Sequence, residues 1–535
     1  MSGTLVESPA GTRPDYANRW PWRLLPCTPA SVAITVSTAL ALGLRAYQIL
    51  RPGVLFGVAF YDDGVYFASA LRLVDGVLPY RDFTFAEPPG ITLVLTPVAL
   101  LAKGIGTARG MVIAKILTLL ASTACVTLGG LLVRHRGLLA VIVTSGLLAV
   151  YPASVTTSRT IFLEPWLAVF CLAGAVAVFD RDQLADGRRL LAGGAIFGFA
   201  GAVESWAIIP VLVVLALALP RPRKAAIYVG AVAAGFLIPV LPFAALAPRR
   251  FYESVVTGQL VRYQQTRVPV WTRLQEMTGL NDLTHAGHLT LALATLVLVG
   301  FVAATAAGAS LITHRLPPPL EWFGTSTAAL VVVVFMWPPG FFFHFPAFLA
   351  PFLALAIALP AARLLMAAQP SADRIGAGQW PRWVAVGLAC LLIGVFALST
   401  GNADASLAPR VGARALAAVR RAVPPGACVL TDQVSFTIAA NRFFSSVPGC
   451  PQMIDPLNTD YALSPGRDGL SGAGRVPAVA AIMRNAFDHA QYVWLAGVYN
   501  RRRIAWTPAL RAYFSGNFVR VLFDDRGDSL YVRKG

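Results

Sequence analysis

Charged residues are scarce in this chain. Only 13% of its 535 residues are Asp, Glu, Lys or Arg, and only 26 are acidic. Soluble globular proteins carry about 25% charged residues, so this shortage excludes a soluble domain of such length. Apolar residues take their place: 56% of the chain is hydrophobic, and the mean hydropathy is +0.64. The composition predicts a polytopic membrane protein.

Cysteine and histidine are also rare, with six of each. Their spacing does not match a zinc site. Cys428 and Cys450 are the only cysteines predicted to lie outside the cell, where disulfides persist, so they are the predicted pair. The other four lie in or near apolar runs and are expected to pack there as small apolar side chains: Cys27, Cys125, Cys171 and Cys390.

The net charge of +18 would suggest a nucleic-acid partner in a soluble protein. Here the basic residues cluster in short connectors, at 134–136, 188–189 and 221–224. That pattern is typical of the cytoplasmic loops of membrane proteins, and no nucleic-acid partner is expected. Residues 1–28 contain three arginines but no apolar core followed by a cleavage site, so they are predicted to be a cytoplasmic lead-in rather than a signal peptide.

Apolar runs long enough to be compared with the ~20 residues of a membrane-crossing helix recur from about residue 30 to 400. The predicted transmembrane domain is 29–399. Its candidate spans are 29–50, 90–106, 109–132, 138–153, 162–179, 190–219, 225–247, 289–312, 322–337, 342–366 and 383–399.

Two of these segments must be reinterpreted if the basic connectors are all cytoplasmic. Segment 90–106 is predicted to lie flat at the outer surface instead of crossing. Segment 190–219 is predicted to be a short helical hairpin with its tip near Glu204. About eleven spans result, with the N-terminus inside and with 51–108, 248–288 and the tail 400–535 outside. The tail, with alternating residues around DDRGD, is predicted to be a small α/β domain.

Acidic residues concentrate in the segments predicted to be exterior. Asp62 and Asp63 precede an amphipathic stretch that ends at Gly76, and Glu87 precedes Pro88-Pro89-Gly90. Helix capping and a favourable charge at a helix N-terminus are the structural alternatives for these acids. Glu164 begins a span beside Arg159, and an ionisable group near hydrocarbon is a functional candidate. Glu204 is an acid of the same kind.

The order of these motifs resembles the GT-C membrane glycosyltransferases. The acidic pair at 62–63, the helix ending in glycine, the F-A-E-P-P-G turn at 85–90 and the R-plus-acid loop at 159–164 are most similar to the branch of protein O-mannosyltransferases and lipid A aminoarabinose transferases. The resemblance covers 55–180 best. It implies an all-α polytopic GT-C membrane domain, followed here by the predicted C-terminal α/β extracytoplasmic domain.

The resemblance also implies roles for individual residues. Asp62 would be the catalytic base that takes a proton from the acceptor hydroxyl, with Asp63 as its partner. Glu164 would help to shape the cavity. Family members often have Lys or His before Pro-Pro, where the lysine contacts the lipid phosphate, but this chain has Glu87. An arginine is therefore expected to contact the phosphate instead. The candidates are Arg81, Arg159 and, in the loop 248–288, Arg262.

His344 lies among aromatic residues, either in an interfacial belt or as a substrate contact. A divalent cation such as Mg or Mn held by Asp62, Asp63 and Glu164 is a further alternative, since carboxylate oxygens suit such ions.

The predicted reaction transfers a sugar, arabinofuranose or mannose, from a polyprenyl-phosphate donor to an envelope glycan, lipid or protein acceptor. The abundance of Ala, Arg, Gly and Val is typical of a high-GC bacterium such as an actinobacterium. A lipid-linked sugar transporter and a non-catalytic scaffold remain the alternatives.

Overall fold

The structure is a computed structural model of the full chain. The described residues are 28–260, 267–279, 288–338, 340–374, 379–403, 412–463, 474–497, 503–524 and 527–535. The predicted cytoplasmic segment and Arg262 lie outside them.

The described residues between 28 and 403 form a bundle of helices. Seven of these helices are long and apolar enough to cross a membrane: α1, α4, α10, α14, α15, α16 and α17. The helices of the bundle are α1 Pro29–Ile49, α2 Asp62–Val74, α3 Gly90–Ile105, α4 Thr107–Val133, α5 Leu138–Val150, α6 Pro152–Thr157, α7 Leu163–Val178, α8 Gly187–Val203, α9 Ile208–Ala218, α10 Pro222–Leu246, α11 Pro248–Tyr252, α12 Gly258–Leu260, α13 Val270–Thr278, α14 His288–Thr313, α15 Pro319–Met336, α16 Pro346–Arg374 and α17 Trp380–Ala403. The chain is thus a multi-pass membrane protein, as predicted.

The basic connectors meet at one end of the bundle. His135 and Arg136 both pair with Asp182, at 2.9 and 2.8 Å. Asp182 lies in the turn of a two-stranded ribbon, β1 Phe179–Asp180 and β2 Gln183–Leu184, which joins α7 to α8. Lys224, at the start of α10, pairs with Asp186 at 2.7 Å. We call this the basic end; the opposite end, which carries Asp62, Glu164 and Glu204, is the acidic end.

The predicted hairpin at 190–219 is present as α8 and α9, separated by a break at Glu204 and a 3-10 turn at Ser205–Ala207. Small residues let α8 pack closely on both neighbours: a Cβ at Gly198 would lie 2.1 Å from the carbonyl oxygen of Val232 in α10, and one at Gly193 would lie 2.9 Å from that of Gly174 in α7. Close approach through glycine is a common way to pack membrane helices. The break places Glu204 at the acidic end.

α3 lies along the acidic end and does not run the length of the bundle. Its first residue, Gly90, packs so closely on the end of α8 that a Cβ there would be 2.4 Å from the carbonyl oxygen of Ala202. Near its other end, Ala102 contacts Gly110 at the start of α4. Both contacts are at the acidic end, because α4 runs from there past Glu164 to the basic connector 134–136. The flat placement predicted for 90–106 agrees with these contacts.

The C-terminal part contains a four-stranded sheet of order β3-β4-β6-β5, with β3 parallel to β4 and the other pairs antiparallel. The predicted hairpin around DDRGD is present as β5 and β6, and the structure joins Cys428 to Cys450 in a disulfide bond. The predicted small α/β region at the C-terminus is confirmed. Its elements are α18 Ala413–Ala422, β3 Val429–Thr431, α19 Val434–Ala439, α20 Pro456–Leu463, α21 Pro477–His489, β4 Tyr492–Leu495, α22 Pro508–Asn517, β5 Phe518–Phe523 and β6 Ser529–Arg533.

This C-terminal part packs directly on the acidic end. Phe67 of α2, Leu95 of α3 and Phe436 of α19 belong to one buried apolar cluster. Asn441 follows α19 with φ of 53° and accepts a hydrogen bond from the backbone N–H of Ala108 at 2.7 Å, so it satisfies an N–H at the start of α4. The sheet and the bundle therefore share a core.

Candidate active site

Four of the predicted acids converge on one buried tyrosine. Tyr66 lies in α2, one turn after Asp62, and is 8% exposed. Burial raises the pKa of its hydroxyl well above the usual range, and the nearby carboxylates of Asp62, Glu87, Glu164 and Glu204 raise it further. These acids come from four separate segments of the chain. All four therefore lie within electrostatic range of Tyr66, and a shared catalytic site stays a prediction.

Asp62 and Asp63 occupy the first turn of α2, where a helix N-terminus favours negative charge. The helix begins at Asp62 without a side-chain cap, so the capping alternative does not account for the pair. The predicted stop at Gly76 is correct: this residue follows the helix with φ of +80°, a conformation that glycine adopts readily. Asp62 is half-buried, whereas Asp63 is fully buried.

Asp63 is held in place by its surroundings. It accepts a hydrogen bond from the hydroxyl of Thr160 at 2.7 Å. Burial raises the pKa of its carboxyl, while the positive charge of Lys115 and the hydrogen bonds from Thr160 and Ser435 oppose that shift. Asp63 is therefore placed to fix the first turn of α2, and Asp62 is the more accessible member of the pair.

Two basic side chains flank the pair. Lys115 of α4 is 1% exposed and donates a hydrogen bond to the carbonyl oxygen of Gly57 at 2.7 Å. Arg159 is 6% exposed, and its guanidinium carbon lies 5.2 Å from the ring centroid of Phe60. Arg159 was predicted from its loop position. Lys115 was missed, although a lone lysine within an apolar helix is itself a functional signal.

Glu164 forms a buried hydrogen bond with His344. The carboxylate oxygen Oε1 lies 2.5 Å from the His344 Nδ1, and Glu164 is 2% exposed. The imidazole stacks on Phe162 with ring centroids 4.7 Å apart. His344 follows α15 in the chain, and its contact with Glu164 joins α7 to the segment before α16. This contact favours the substrate-site alternative over the interfacial belt, and that role stays a prediction.

Glu87 is oriented by two residues. Its backbone oxygen accepts a hydrogen bond from the Tyr80 hydroxyl at 2.6 Å, and its carboxylate accepts one from the Gln259 side-chain amide at 3.1 Å. Gln259 comes from the loop 248–288, which sequence analysis placed beside the lipid without singling out this residue. Glu204 is 7% exposed and lies beside the contact between Ala202 and Gly90.

Two predicted roles are not supported by the geometry. Arg81 pairs with its neighbour Asp82 at 2.8 Å on an exposed turn, so the acid cluster does not include it. The metal alternative has no support in the geometry either: among the described residues no group of three His, Cys, Asp or Glu side chains could hold a metal ion. The reason is that Asp63 is held by Thr160, while Glu164 is engaged by His344.

The C-terminal part contacts the residues just before the acidic pair. The hydroxyl of Ser435 donates to the carbonyl oxygen of Phe60 at 3.1 Å, and the hydroxyl of Tyr61 donates to the Asp455 carboxylate at 2.7 Å. The guanidinium of Arg503 lies 4.1 Å from the ring centroid of Tyr61. The 60–64 segment is therefore clamped between the bundle and the C-terminal part.

Asp460, on α20, makes the stability of this clamp depend on pH. It is 1% exposed, and burial together with the Asp455 charge raises the pKa of its carboxyl to about 8. A carboxyl whose pKa is raised on folding binds its proton more tightly when folded, so it contributes stability at pH 4 that is lost as the pH rises to about 8.

We expect Asp460→Asn, which keeps a neutral side chain of similar shape, to raise the melting temperature of the detergent-solubilised protein more at pH 8 than at pH 5. Between the unfolded and folded pKa values of Asp460, its effect on the free energy of unfolding changes by up to ~1.4 kcal/mol for each pH unit. Thermal unfolding across this pH range measures it. Asp75→Asn is the control: its exposed pair with Lys103 contributes little to stability. Equal effects of Asp460→Asn at both pH values would contradict a buried, protonated Asp460.

No protein-family model and no curated protein sequence matches the chain. Among solved structures it is similar to ArnT from Cupriavidus metallidurans in the apo state, with a TM-score of 0.58 and 15% identity over 94% of this chain and 98% of that chain. The same protein bound to undecaprenyl phosphate gives a TM-score of 0.56 and 14% identity, over 94% and 97%. An oligosaccharyltransferase from Archaeoglobus fulgidus has a TM-score of 0.47 and 12% identity, over 94% and 73%.

The likeness to ArnT extends over nearly the whole of both chains. At this level of identity it shows the fold. The chain is thus a polytopic helical membrane protein that shares the fold of ArnT, with a small α/β part at its C-terminus, as the sequence predicted.

Proposed function

We propose that the chain is a membrane glycosyltransferase that moves a sugar from a polyprenyl-phosphate donor to a cell-envelope acceptor. The observation that carries this proposal is the convergence of Asp62, Glu87, Glu164 and Glu204 around Tyr66 at one end of a GT-C bundle. A donor of this kind keeps its hydrocarbon chain in the bilayer and presents its reactive carbon at the surface, where these acids lie. The undecaprenyl phosphate bound to ArnT supports a ligand of the same chemistry.

Asp62 acts as the general base in this proposal. It takes the proton of the acceptor hydroxyl while that oxygen forms a bond to the anomeric carbon and the bond from that carbon to the phosphate oxygen breaks. Polyprenyl phosphate leaves with the electron pair. A positioned base contributes typically ~10²–10⁴-fold to such a step. No other reactant is needed.

Positive charge beside the base serves the leaving phosphate. Arg159 offers donors in a planar fork that suits phosphate oxygens, and Lys115 lies close enough to Arg159 to interact with it electrostatically. Glu87 stands where related enzymes carry a basic residue, and its hydrogen bond to Gln259 gives it an orienting role at the entrance instead. Arabinofuranose and mannose are the sugars we favour, on a glycan, lipid or protein acceptor, and an actinobacterial source agrees with the composition.

The assay uses purified protein in proteoliposomes with a polyprenyl-phosphate sugar labelled in the sugar and an envelope extract as acceptor. We expect the label to enter a new glycosidic product while polyprenyl phosphate accumulates. The break in the helix at Glu204 is also a feature of transporters. Movement of intact donor across the bilayer without a new glycosidic bond would favour that alternative and overturn the transferase proposal.

We propose that the acidic end faces the exterior, because the basic connectors gather at the other end. An exposed cysteine introduced as Asp75→Cys should react with a membrane-impermeant thiol reagent in intact cells, in a background without the free cysteines. Arg188→Cys, at the basic end, is the matched control and should react only after permeabilisation. The reverse pattern would invert the proposed orientation.

A further inference from the structure

A cavity lies apart from the acid cluster, where the bundle meets the C-terminal part. Its volume is about 430 Å³. It is lined by the loop before α2, the end of α3, the start of α4, the end of α18 and the second residue after α19: Phe56, Ile105, Ala108, Arg109, Arg420 and Asn441. We call it the arginine cavity. It is large enough for the headgroup of a lipid.

Positive charge concentrates here without acidic partners. Arg109 and Arg420 line the cavity, and Arg442 hydrogen-bonds to the backbone oxygen of Arg420 at 2.7 Å. Partial burial and the charge of Arg420 lower the pKa of Arg442. Within the described part of the chain, the ion pairs involve none of these three arginines. Like charges held together without counter-charges favour binding of an anion.

The hydrogen-bond donors are held by the fold. Arg420 donates one bond to the backbone oxygen of Ala439 at 2.6 Å, which fixes the guanidinium and leaves its remaining N–H groups for a ligand. Asn441 uses its side-chain oxygen to accept from Ala108, so its amide nitrogen is the atom that can donate into the cavity. Two guanidinium groups and an amide form a set of donors that suits phosphate oxygens.

The rim of the cavity is apolar. Phe56 is 53% exposed and Ile105 is 38% exposed, and Leu100 and Leu101 continue this surface along α3, with exposures of 58% and 57%. Because α3 lies flat at the acidic end, this surface is placed at the boundary between hydrocarbon and headgroups. A ligand that fills both parts must carry an anionic head and a hydrocarbon chain.

The cavity is not placed to serve the transfer reaction itself. Arg109 precedes Lys115 by six residues on α4, so it lies about 9 Å away along the helix axis and about 120° around it. Lys115 interacts with Asp63, and Arg109 therefore faces a different side of the helix. A phosphate bound at Arg109 would leave its chain outside the acid cluster.

We propose that the arginine cavity binds the phosphate group of an anionic phospholipid, whose acyl chain lies along Phe56, Ile105 and Leu101. The bound lipid bridges α4 and the C-terminal part through Arg109 on one side and Arg420 and Asn441 on the other. It thereby holds α19 against the segment that carries Asp62. Binding of the phospholipid does not depend on the proposed transfer reaction. Only an effect of the lipid on sugar transfer would rest on the proposed function.

The test measures phospholipid retained by the full chain. Protein reconstituted with phosphatidylcholine and phosphatidylglycerol is extracted in mild detergent, and the lipid that stays bound is quantified by native mass spectrometry. We expect selective retention of phosphatidylglycerol, reduced about tenfold or more in the double variant Arg109→Ala/Arg420→Ala, because each charge-assisted bond contributes strongly. Arg414→Ala and Arg421→Ala, which change neighbouring exposed arginines of α18 outside the cavity lining, are the matched controls and should retain lipid like the wild type.

Competition experiments distinguish which phosphate compound occupies the cavity. Inorganic phosphate and polyprenyl phosphate are each added as competitors to the reconstituted protein. Displacement by inorganic phosphate at equal concentration, or by polyprenyl phosphate but not by added phosphatidylglycerol, would overturn the phospholipid assignment, as would undiminished retention by the double variant. If the double alanine variant unfolds, Arg109→Lys/Arg420→Lys replaces it; this variant keeps the charge but loses the forked donors, and we expect partial retention. Retention equal to the wild type in that variant would contradict the role of the forked donors.

Discussion

Asp62→Asn is expected to reduce sugar transfer by about 10²-fold or more while the protein still folds and inserts. The asparagine keeps the size of the side chain and removes the carboxylate that accepts the proton. Asp63, the neighbouring acid, cannot replace it, because it is fully buried and is held by Thr160 and Lys115. The loss should appear in the turnover number of the proteoliposome assay more than in the apparent affinity for the donor.

Asp75→Asn is the matched control for this variant. It removes the same charge at the other end of α2, where Asp75 is exposed and pairs with Lys103 at 3.3 Å. We expect activity close to that of the wild type. Full activity of Asp62→Asn, or an equal loss in both variants, would contradict the assignment of Asp62 as the base.

Gly64→Ala is expected to have the second large effect. Gly64 directly follows the acidic pair, and a Cβ at this position would lie 2.3 Å from the backbone nitrogen of Ser435 and 2.4 Å from its hydroxyl. Neither distance is sterically possible, so α19 or the first turn of α2 must move. Displacement of a catalytic group by about 1 Å can reduce a rate ~10²-fold. We therefore expect transfer to fall by about that factor, together with ~1–3 kcal/mol of stability lost through overpacking.

Gly104→Ala provides the control for the glycine substitution. Gly104 lies in α3, and no atom lies within 4 Å of the position that its Cβ would occupy. Alanine favours a helix over glycine by about 1 kcal/mol, so this variant should be at least as stable as the wild type and equally active. Wild-type transfer rates in Gly64→Ala would show that the contact with the C-terminal part does not position Asp62.

The sequence predicted the helices of the bundle well, because the length of an apolar run and the basic residues that flank it can both be read from a short stretch of the chain. The break in α8–α9 at Glu204 and the flat helix α3 were inferred from where the basic connectors had to lie, and the ion pairs of Asp182 and Asp186 bring those connectors together. The β5–β6 hairpin was predicted from the alternation around its turn. These features depend on residues that are neighbours in the sequence, or on the single rule that basic connectors lie on the cytoplasmic side.

The partners of the acids could not be predicted in the same way. Thr160 and Ser435 reach Asp63 and Phe60 across 97 and 375 positions of sequence. Tyr66 has no feature of composition that marks it, although it is the residue around which the acids converge. The role of Asn441 at the start of α4 likewise depends on a contact across 333 positions. Such contacts arise from tertiary packing, which the motifs do not encode.

The alternative of a bound cation could not be judged from the sequence either. Asp63 accepts a hydrogen bond from Thr160 and Glu164 is bonded to His344, and neither contact is visible in the motifs that suggested carboxylate ligands. The position of His344 in the sequence left an interfacial belt and a substrate contact both open. Its hydrogen bond with Glu164, across 180 positions, favours the substrate contact.

The most direct measurement locates the headgroup of the donor. A polyprenyl-phosphate sugar with a photoactivatable diazirine on the sugar is cross-linked to the reconstituted protein, and the modified peptides are identified by mass spectrometry. The account predicts adducts within 60–66 and 159–165, suppressed by unlabelled donor. Adducts confined to the connectors of the basic end, at 134–136 and 221–224, would contradict it.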